Sequence, residues 1–274
     1  MSSPAISDLE FSGVQKFISD HAGIALADNK KPMVMSRLGR RLVANKVSSY
    51  TSYLQILRNA KHRDELQIAI DLLTTNETYF FRETAHFDFL HKILLSRAGT
   101  GGKTRVWSAA CSAGQEPYSI AMTLAHTLGR RSWEVFATDI STQVLKTAQT
   151  GLYPMREADK IPLEFLRKYC RKGVEENEGT LKVCDEIRNR VHFRHVNINK
   201  PLPDIGLFDV VFLRNVMIYF DHATKMNLIK NIRERIKPNG YLFIGHSETL
   251  NNIYSGFTQL SPSIFQNTAC HEKN

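Results

Sequence analysis

The hydrophobic positions of residues 1–75 recur every three or four residues, which is the spacing of one buried face of an α-helix. Ser7 and Glu10 form a capping-box pattern that starts the first helix, and Gly23 suits its end. Pro32 suits the first turn of a second helix, and two further amphipathic stretches follow it. The pattern therefore predicts an all-helical N-terminal domain.

The pattern changes after the Gly-rich stretch at 99–102. Short apolar runs typical of buried strands now alternate with amphipathic stretches, and this alternation predicts a parallel sheet covered by helices on both faces. Residues 151–190 are polar and do not fit the alternation, which indicates a small unit inserted into the sheet domain. The predicted strands lie at 104–110, 133–139, 191–197, 208–215 and 240–246, and the predicted helices at 117–129, 141–151 and about 221–237.

The composition is ordinary for a soluble globular protein, because 42% of the 274 residues are hydrophobic and 23% are charged. This excludes wholesale disorder, and apolar runs such as 210–213 are far too short to span a membrane. The N-terminal residues lack the pattern of a secretory signal. The cysteines show no C-x-x-C pair, so we expect the reduced thiols of a cytosolic protein rather than disulfides or a zinc site. They are Cys111, Cys170, Cys184 and Cys270.

The charge is unevenly distributed along the chain. The formal net charge is +9, and residues 29–63 hold nine Lys and Arg but no Asp or Glu, while the rest of the chain is balanced. A segment of one sign attracts an acidic partner, which could be nucleic acid, anionic lipid or an acidic protein surface. The alternative is a solvated helix face along which the long basic side chains lie. Within this segment Arg37, Arg40 and Arg41 have the i, i+3, i+4 spacing that shares one face of a helix.

Polar residues follow the first two predicted strands, at the sheet edge where open parallel sheets bind ligands. After the first strand, AACSAGQEP combines small residues with the carboxylate of Glu116, and its single glycine, Gly114, disfavours a pyrophosphate site. Asp139 ends the second strand, where an acidic residue commonly binds both ribose hydroxyls. The alternative is that Asp139 caps the helix that begins near Ser141. A ribose site without a pyrophosphate site favours S-adenosylmethionine over NAD.

A third motif, FDVVFLRNVMIYFD, runs from a strand into Arg214 and Asn215 and then into Tyr219. These polar groups would stand beside a reacting centre, although an amphipathic core tyrosine is the alternative interpretation of Tyr219. DNA methyltransferases carry an Asn-Pro-Pro-Tyr-like or Pro-Cys segment here, and neither occurs. Nucleic acid is therefore disfavoured as the methyl acceptor.

Two further motifs flank the sheet domain. In TNETYFFRETAHF, the polar residues Asn76, Thr78 and Arg82 lie beside aromatic residues, and the alternative is a helix cap formed by Thr74 and Glu77. In GHSET, at 245–249, the serine does not stand in G-x-S-x-G, so a hydrolase nucleophile is unsupported.

Taken together, these motifs resemble those of the chemotaxis receptor glutamate O-methyltransferases, the CheR family. TNETYFFRE, AACSAGQEPYSIAM, ATDIS, RNVMIYFD and GHSE occur in the family's order and spacing, and the resemblance covers nearly the whole chain. The chain departs from the family at Gln115, where two acids often stand side by side. The second acid is the one associated with the cofactor, and it is present as Glu116.

The resemblance implies an α/β fold: an S-adenosylmethionine-dependent methyltransferase (Rossmann-like) domain with a small inserted β-subdomain, preceded by a small all-α domain. The implied divisions are 1–75 for the helical domain, 76–102 for a linker and helix that contribute to the cofactor site, and 103–274 for the methyltransferase domain with its insert at about 151–190. The implied cofactor contacts are Asn76, Thr78, Arg82, Glu116, Asp139, Asn197, Ile198, Arg214 and Asn215. Tyr219 and Arg82 are our candidate catalytic residues, which would orient the acceptor carboxylate. No metal is expected, and Arg37, Arg40 and Arg41 are expected to bind substrate.

The implied reaction converts glutamate side chains on the cytoplasmic helices of membrane chemoreceptors into methyl esters, with S-adenosylhomocysteine as product. We expect a cytoplasmic monomer that binds these receptors, without nucleic acid and without inserting into the membrane. One alternative is a non-catalytic module that binds S-adenosylmethionine and docks on receptors. A nucleic-acid methyltransferase is a weaker alternative, since the basic segment holds only Tyr50 and Tyr53 for base stacking.

Overall fold

The computed structural model describes residues 5–96, 102–253 and 256–268, and in them the N-terminal part is helical as predicted. Ser7 and Glu10 form the expected reciprocal cap of the first helix, and Gly23 ends it with a left-handed backbone. No helix of the described residues has both the length and the apolar character needed to cross a membrane. The N-terminal helices are α1 (Asp8–Ala22), α2 (Lys31–Ala44), α3 (Tyr50–Arg58) and α4 (Arg63–Leu73).

Strands and helices then alternate through the remaining described residues. The strands are β1 (Thr104–Ser108), β2 (Trp133–Asp139), β3 (Leu152–Pro154), β4 (Cys170–Lys172), β5 (Thr180–Val183), β6 (Val191–His195), β7 (Phe208–Leu213), β8 (Ile236–Ile244), β9 (Thr258–Ser261) and β10 (Ile264–Gln266). The helices are α5 (Ala85–Ser96), α6 (Gln115–Leu128), α7 (Thr142–Thr150), α8 (Leu163–Tyr169), α9 (Asp185–Arg188) and α10 (His222–Arg233).

The central sheet of the described residues has the strand order β6-β2-β1-β7-β8-β10-β9. The first five strands are parallel, and β10 and β9 complete the sheet in antiparallel fashion. Because parallel strands end at the same edge, the loops after β1, β2, β6 and β7 meet there. This edge carries the motifs that the sequence singled out.

The helix predicted over about 221–237 is wrong at its end, because α10 stops at Arg233 and β8 already begins at Ile236. Pro238, Asn239 and Gly240 are locally typical of a turn that follows a helix. In the structure, the Asn239 N–H donates to the carbonyl of Asn267, whose N–H donates to the carbonyl of Gly240, each at 2.8 Å. This pairing with Asn267 draws the three residues into the strand.

A second, antiparallel sheet lies within the segment that did not fit the alternation, with the strand order β3-β5-β4. Its Tyr153 hydroxyl donates to the carbonyl of Ala113, in the loop after β1, at 2.8 Å. Gly114 follows with a φ of +98°, and a Cβ there would lie 2.7 Å from the Tyr153 hydroxyl. Glycine therefore lets the small sheet support the loop that leads to Glu116.

Two hydrophobic cores cover the two faces of the central sheet. Trp107 of β1 belongs to a core shared with the N-terminal helices and α10, whereas its neighbour Val106 belongs to a core shared with α5, α6 and the small sheet. The helical domain therefore packs directly on one sheet face. Cys111, Cys170 and Cys184 are free thiols, and Cys270 lies outside the described residues.

Candidate active site

A cavity of about 410 Å³ lies between the helical domain and the carboxyl edge of the sheet. Its volume falls within the range of roughly 300–1,000 Å³ that is usual for small-molecule sites. It brings together residues that the sequence motifs had placed far apart in the chain. The predicted residues that line it are Asn76, Thr78, Arg82, Glu116, Asp139, Asn197, Ile198, Arg214, Asn215 and Tyr219.

A buried ion network forms the inner wall of this cavity. The side chain of Arg214 is 1% exposed and donates from Nη1 to Glu116 Oε2 at 3.0 Å, while its Nη2 lies 3.1 Å from Glu83 Oε2. The Ser108 hydroxyl, at the end of β1, donates to the other Glu116 oxygen at 2.7 Å. Arg214 thus pairs with two carboxylates, of which Glu116 lines the cavity and Glu83 does not.

The pKa values of the two carboxyl groups respond differently to this environment. Burial raises the pKa of Glu116, against the opposing effect of Arg214. Burial alone would also raise the pKa of Glu83, but the charge of Arg214 and a hydrogen bond from the His246 N–H lower it. Glu83 is therefore held as a carboxylate beside the guanidinium. Sequence reasoning missed this residue, although it lies within TNETYFFRETAHF.

Glu83 also belongs to a cluster with His86 and His246, in which possible metal-binding atoms lie within 4.8 Å of one another. Burial lowers the pKa of His86 to about 3, so this imidazole is neutral at ordinary pH. Its Nε2 lies 2.7 Å from the hydroxyl of Ser263. Because Arg214 already neutralises the Glu83 carboxylate, the cluster extends the ion network behind the cavity wall.

Asp139 ends β2 at the next position of the same edge, and it is 7% exposed. Its two oxygens accept the N–H groups of Ser112 at 2.8 Å and Ser141 at 2.9 Å. Burial raises its pKa despite these bonds. The alternative that Asp139 caps α7 is wrong, because Ser141 is the capping residue and accepts from the Val144 N–H. Asp139 instead fixes two loops and lines the cavity between them.

The linker after α4 forms a third part of the wall. The alternative of a helix cap at Thr74 and Glu77 is wrong, because the chain between them is not helical and α5 begins well after them. The guanidinium of Arg82 donates to the Glu77 carbonyl at 3.1 Å. The Ser112 hydroxyl donates to the carbonyl of Asn76 at 3.0 Å and so fastens the linker to the loop after β1.

Several residues around the cavity have left-handed backbones, which non-glycine residues seldom adopt. Phe81 and Glu83 have φ values of +53° and +59°, and Ser112 and Asn215 have values of +48° and +55°. Such conformations cost on the order of 1–3 kcal/mol each and persist where the surrounding contacts fix them. The four left-handed residues around the cavity therefore indicate a site whose backbone shape is fixed by the contacts that surround it.

Asn197 lines the cavity, but its side chain also joins the two domains. Its amide donates to the carbonyl of His21 at 2.6 Å, and its oxygen accepts the N–H of Asn199 at 3.0 Å. The Asn199 amide donates to the carbonyl of Ala22 at 2.6 Å. Since helix ends leave their last carbonyls without partners, these two amides cap α1 with groups from the sheet domain.

The helical domain closes the cavity with residues that sequence reasoning missed. Its wall residues include Ile24, Leu26, Met33 and the exposed Lys30. The N–H of Ala25 donates to the carbonyl of Tyr219 at 2.8 Å, which fastens this wall to the turn after β7. No local pattern marks these residues, because they become neighbours of the site only when the two domains pack together.

The three arginines of the basic helix have different environments. Arg37 donates to the carbonyls of Leu72 and Thr74, at 3.0 and 2.9 Å, and so caps α4. Arg41 forms a two-point ion pair with Glu65, with 2.9 Å between Nε and Oε1. Arg40 is exposed. Two of the three arginines therefore have partners within the domain, and the role of all three in binding substrate stays a prediction.

The comparisons with known proteins agree with this architecture. The family model "CheR methyltransferase, SAM binding domain" matches residues 76–265, and "CheR methyltransferase, all-alpha domain" matches residues 9–74. A chemotaxis protein methyltransferase of Escherichia coli strain K12 is 42% identical over 264 residues, which are 95% of this chain and 91% of the relative. Chemotaxis protein methyltransferase 2 of Pseudomonas aeruginosa is 37% identical over 242 residues, covering 87% of this chain and 86% of the relative.

The fold, the cavity and the matches to known proteins together define an S-adenosylmethionine-dependent methyltransferase. More particularly, the chain belongs to the CheR methyltransferase family, which its sequence motifs had indicated. The predicted fold class, enzyme class and cofactor are thereby confirmed. The residues present also fit this cofactor: the carboxylate of Glu116, whose side chain is 13% exposed, suits a cationic ligand, and Asp139 at a strand end suits a ribose.

Proposed function

We propose that the protein methylates the side-chain carboxylates of glutamates on the cytoplasmic helices of chemoreceptors, and so acts in the cytoplasm. The products are glutamyl methyl esters and S-adenosylhomocysteine. The curated relatives are named chemotaxis protein methyltransferases, which supports a protein acceptor within that system rather than a nucleic acid. The observation that carries the choice of a carboxylate acceptor is the distribution of charge along the cavity.

The charge of the lining residues changes sign between the inner wall and the mouth. On the inner wall, the carboxyl groups of the buried Asp139 and of Glu116, whose side chain is 13% exposed, outnumber the one guanidinium of Arg214. Nearer solvent, the half-buried Arg82 and the exposed Lys30 outnumber the one exposed carboxylate of Glu77. An inner wall rich in carboxylates favours a cationic cofactor, and basic groups nearer solvent favour an anionic acceptor. The two reactants of carboxylate methylation have these opposite charges.

Methyl transfer to a carboxylate requires little from the protein except alignment of the two reactants. The cofactor, when bound, supplies a methyl group on a cationic sulfur. A solvent-exposed glutamate side chain has a pKa of about 4.3, so near pH 7 its carboxylate is already the nucleophile and needs no general base. The new bond joins a carboxylate oxygen to the methyl carbon, the methyl–sulfur bond breaks with its electron pair on sulfur, and no proton moves. Rate enhancement then comes from in-line placement and exclusion of water.

Arg82 and Tyr219 are the side chains we assign to placing the acceptor carboxylate. Arg82 is fixed by the Glu77 carbonyl, and its guanidinium lies 5.8 Å from the centre of the Tyr79 ring. Tyr219 is half-buried, packs against the core that the N-terminal helices share with one face of the sheet, and lines the cavity. Both are restrained in position, so they can orient a carboxylate without large rearrangement. An arginine that paired with it too tightly would stabilise the ground state and slow the reaction.

The exposed part of the basic segment is the receptor-docking surface in this proposal. Complementary charge speeds the encounter with acidic receptor helices, and the effect fades when salt screens exposed charges beyond about 8 Å. Arg37 and Arg41 have partners within the domain and serve mainly to shape it. The exposed cations of the segment are Lys30, Arg40, Lys46, Arg58, Lys61 and Arg63.

The proposal is tested by incubating the protein with methyl-labelled S-adenosylmethionine and membranes that contain chemoreceptors. Base treatment should then release volatile labelled methanol from the receptor band, because carboxyl methyl esters hydrolyse in base. Receptors whose candidate glutamates are replaced by alanine should take up no label. Label that resists base, or that appears in nucleic acid, would contradict the proposal.

A further inference from the structure

The GHSE segment after β8 contains a carboxylate whose bonds all lead to backbone. Glu248 Oε2 accepts the N–H groups of Gly245 at 2.6 Å and Asn215 at 2.9 Å, and its Oε1 accepts the N–H of Met217 at 2.8 Å. Glu248 is half-buried, and it does not line the cavity found in the described residues. The residue therefore acts on the chain around it and not directly on a bound ligand.

The chain that Glu248 holds is the turn between β7 and α10. Asn215 has a left-handed backbone with a φ of +55°, and a short 3₁₀ turn over Met217–Tyr219 follows it. This turn presents Asn215, Ile218 and Tyr219 to the cavity. Its N–H groups at 215 and 217 would lack acceptors without the carboxylate, and an N–H that is buried without a partner is costly.

Gly245 allows the two segments to approach each other. A Cβ at this position would lie 2.5 Å from Asn215 Nδ2 and 3.0 Å from the Asn215 nitrogen. Any larger residue would therefore push the same turn away from the strand end. Gly245 and Glu248 therefore act on the same turn after β7. Gly245 leaves room for it, and the Glu248 carboxylate accepts its N–H groups.

We propose that Glu248 is a positioning residue for methyl transfer, which sets the turn so that Tyr219 faces the reacting centre. The carboxylate replaces the hydrogen-bond partners that a regular helix or strand would give this turn. It controls turnover through geometry, without contact with cofactor or acceptor. The inference rests on the proposed role of Tyr219, and the experiment below separates the two.

The first variant is Glu248→Gln, which keeps the size of the side chain but replaces one accepting oxygen with an amino group. Because small misplacement of a reacting group can cost up to about a hundredfold in rate, we expect kcat to fall about ten- to a hundredfold. The dissociation constant for S-adenosylhomocysteine and the KM for receptor should stay within about threefold. Turnover equal to wild type would overturn the inference.

A double-mutant cycle with Tyr219→Phe tests whether Glu248 acts through Tyr219. If it does, Glu248→Gln should cost less than about twofold in kcat once the hydroxyl is absent, because residues in one unit are not additive. Independent, multiplying effects would overturn the inference, and so would a Tyr219→Phe enzyme with wild-type turnover. A wild-type protein that forms no receptor esters would instead refute the proposed function.

Gly245→Ala disturbs the same turn sterically and serves if Glu248→Gln does not fold. It should show the same loss of kcat and the same lack of additivity with Tyr219→Phe. The matched control is Asp221→Asn, two residues beyond Tyr219. Asp221 caps α10 by accepting the Thr224 N–H at 2.8 Å, and asparagine caps as well as aspartate, so turnover should be unchanged. An equal loss in this control would show that the region is merely fragile and would overturn the inference.

Discussion

The inner wall and the mouth of the cavity are built from side chains of opposite character. On the inner wall, Arg214 and Asp139 are buried, the Glu116 side chain is only 13% exposed, and all three are hydrogen-bonded to protein groups. At the mouth, Tyr79 and Ile218 are 40% and 50% exposed, and Lys30 is exposed as well. The groups of the inner wall are fixed by bonds within the protein, whereas the groups at the mouth remain accessible to solvent.

This difference predicts which property a substitution will change. Removing a buried, bonded group leaves its partners unsatisfied in a poorly solvated place, so stability and cofactor affinity change together. Removing an exposed group lets water replace it, so only the encounter with the acceptor changes. The following variants test this division.

Arg214→Met should have the largest effect, because it leaves Glu83 and Glu116 without their shared cation. Breaking a buried ion pair costs about 3–5 kcal/mol, and we expect a loss of this order in the free energy of unfolding. Denaturant titration measures it, and calorimetry should find no binding of S-adenosylhomocysteine. Arg214→Lys should recover only part of the loss, since lysine cannot donate in the same fork. An Arg214→Met protein of wild-type stability would contradict the fixed inner wall.

The variants Arg41→Glu and Arg40→Glu compare a bonded arginine with an exposed one in the basic helix α2. Arg41 donates to Glu65, so its reversal should lower the free energy of unfolding by about 1.5–3 kcal/mol, the scale of hydrogen bonds to a charged group. Reversal of the exposed Arg40 should leave stability unchanged and raise the KM for receptor at low salt. Similar unfolding midpoints for the two variants would show that burial does not separate their roles.

Asp139→Ala tests the inner wall at the strand end. The variant loses a carboxylate suited to the ribose, so affinity for S-adenosylhomocysteine should fall by about 1–3 kcal/mol. Isothermal calorimetry measures the change, with thermal unfolding to confirm that the protein is folded. Unchanged affinity in a folded variant would remove Asp139 from the cofactor site.

Lys30→Met should have the smallest effect and should act on the acceptor alone. We expect the KM for receptor to rise about two- to fivefold at low salt, with cofactor affinity unchanged, because exposed charges contribute little. Lys31→Met is the control from the neighbouring position, since Lys31 pairs with Asp8 at 2.6 Å and does not line the cavity. An equal rise in KM for both variants would assign the effect to the general charge of the segment.

The sequence could predict the elements whose signals are local. The capping box at Ser7 and the alternation of apolar runs with amphipathic helices both appear in the structure. The continuous strand through Pro238 and Gly240 was missed, because its cause is pairing with Gln266 and Asn267, about 27 residues beyond the turn. Local turn residues cannot report so distant a partner.

The candidate site divides in the same way. Motif residues such as Asp139 and Arg214 follow strands, and the topology of a parallel sheet brings strand ends together. Glu83 and Glu248 lay within quoted motifs, but their roles depend on contacts with Arg214 and the turn after it, far away in the chain. Lys30 belonged to the basic segment, but no pattern indicated that it lines the cavity, because this position depends on the packing of the helical domain.

The cavity is walled by both domains, and this has a thermodynamic consequence. The α1 end is capped by Asn197 and Asn199, and the Ala25 N–H is bonded to Tyr219, so a molecule in the cavity fits only the assembled arrangement. By mass action, a ligand at a hundred times its dissociation constant stabilises the form that binds it by about 2.7 kcal/mol. The cofactor is therefore a stabiliser of the domain arrangement as well as a reactant, because its concentration relative to its dissociation constant sets how firmly the N-terminal helices are joined to the catalytic sheet.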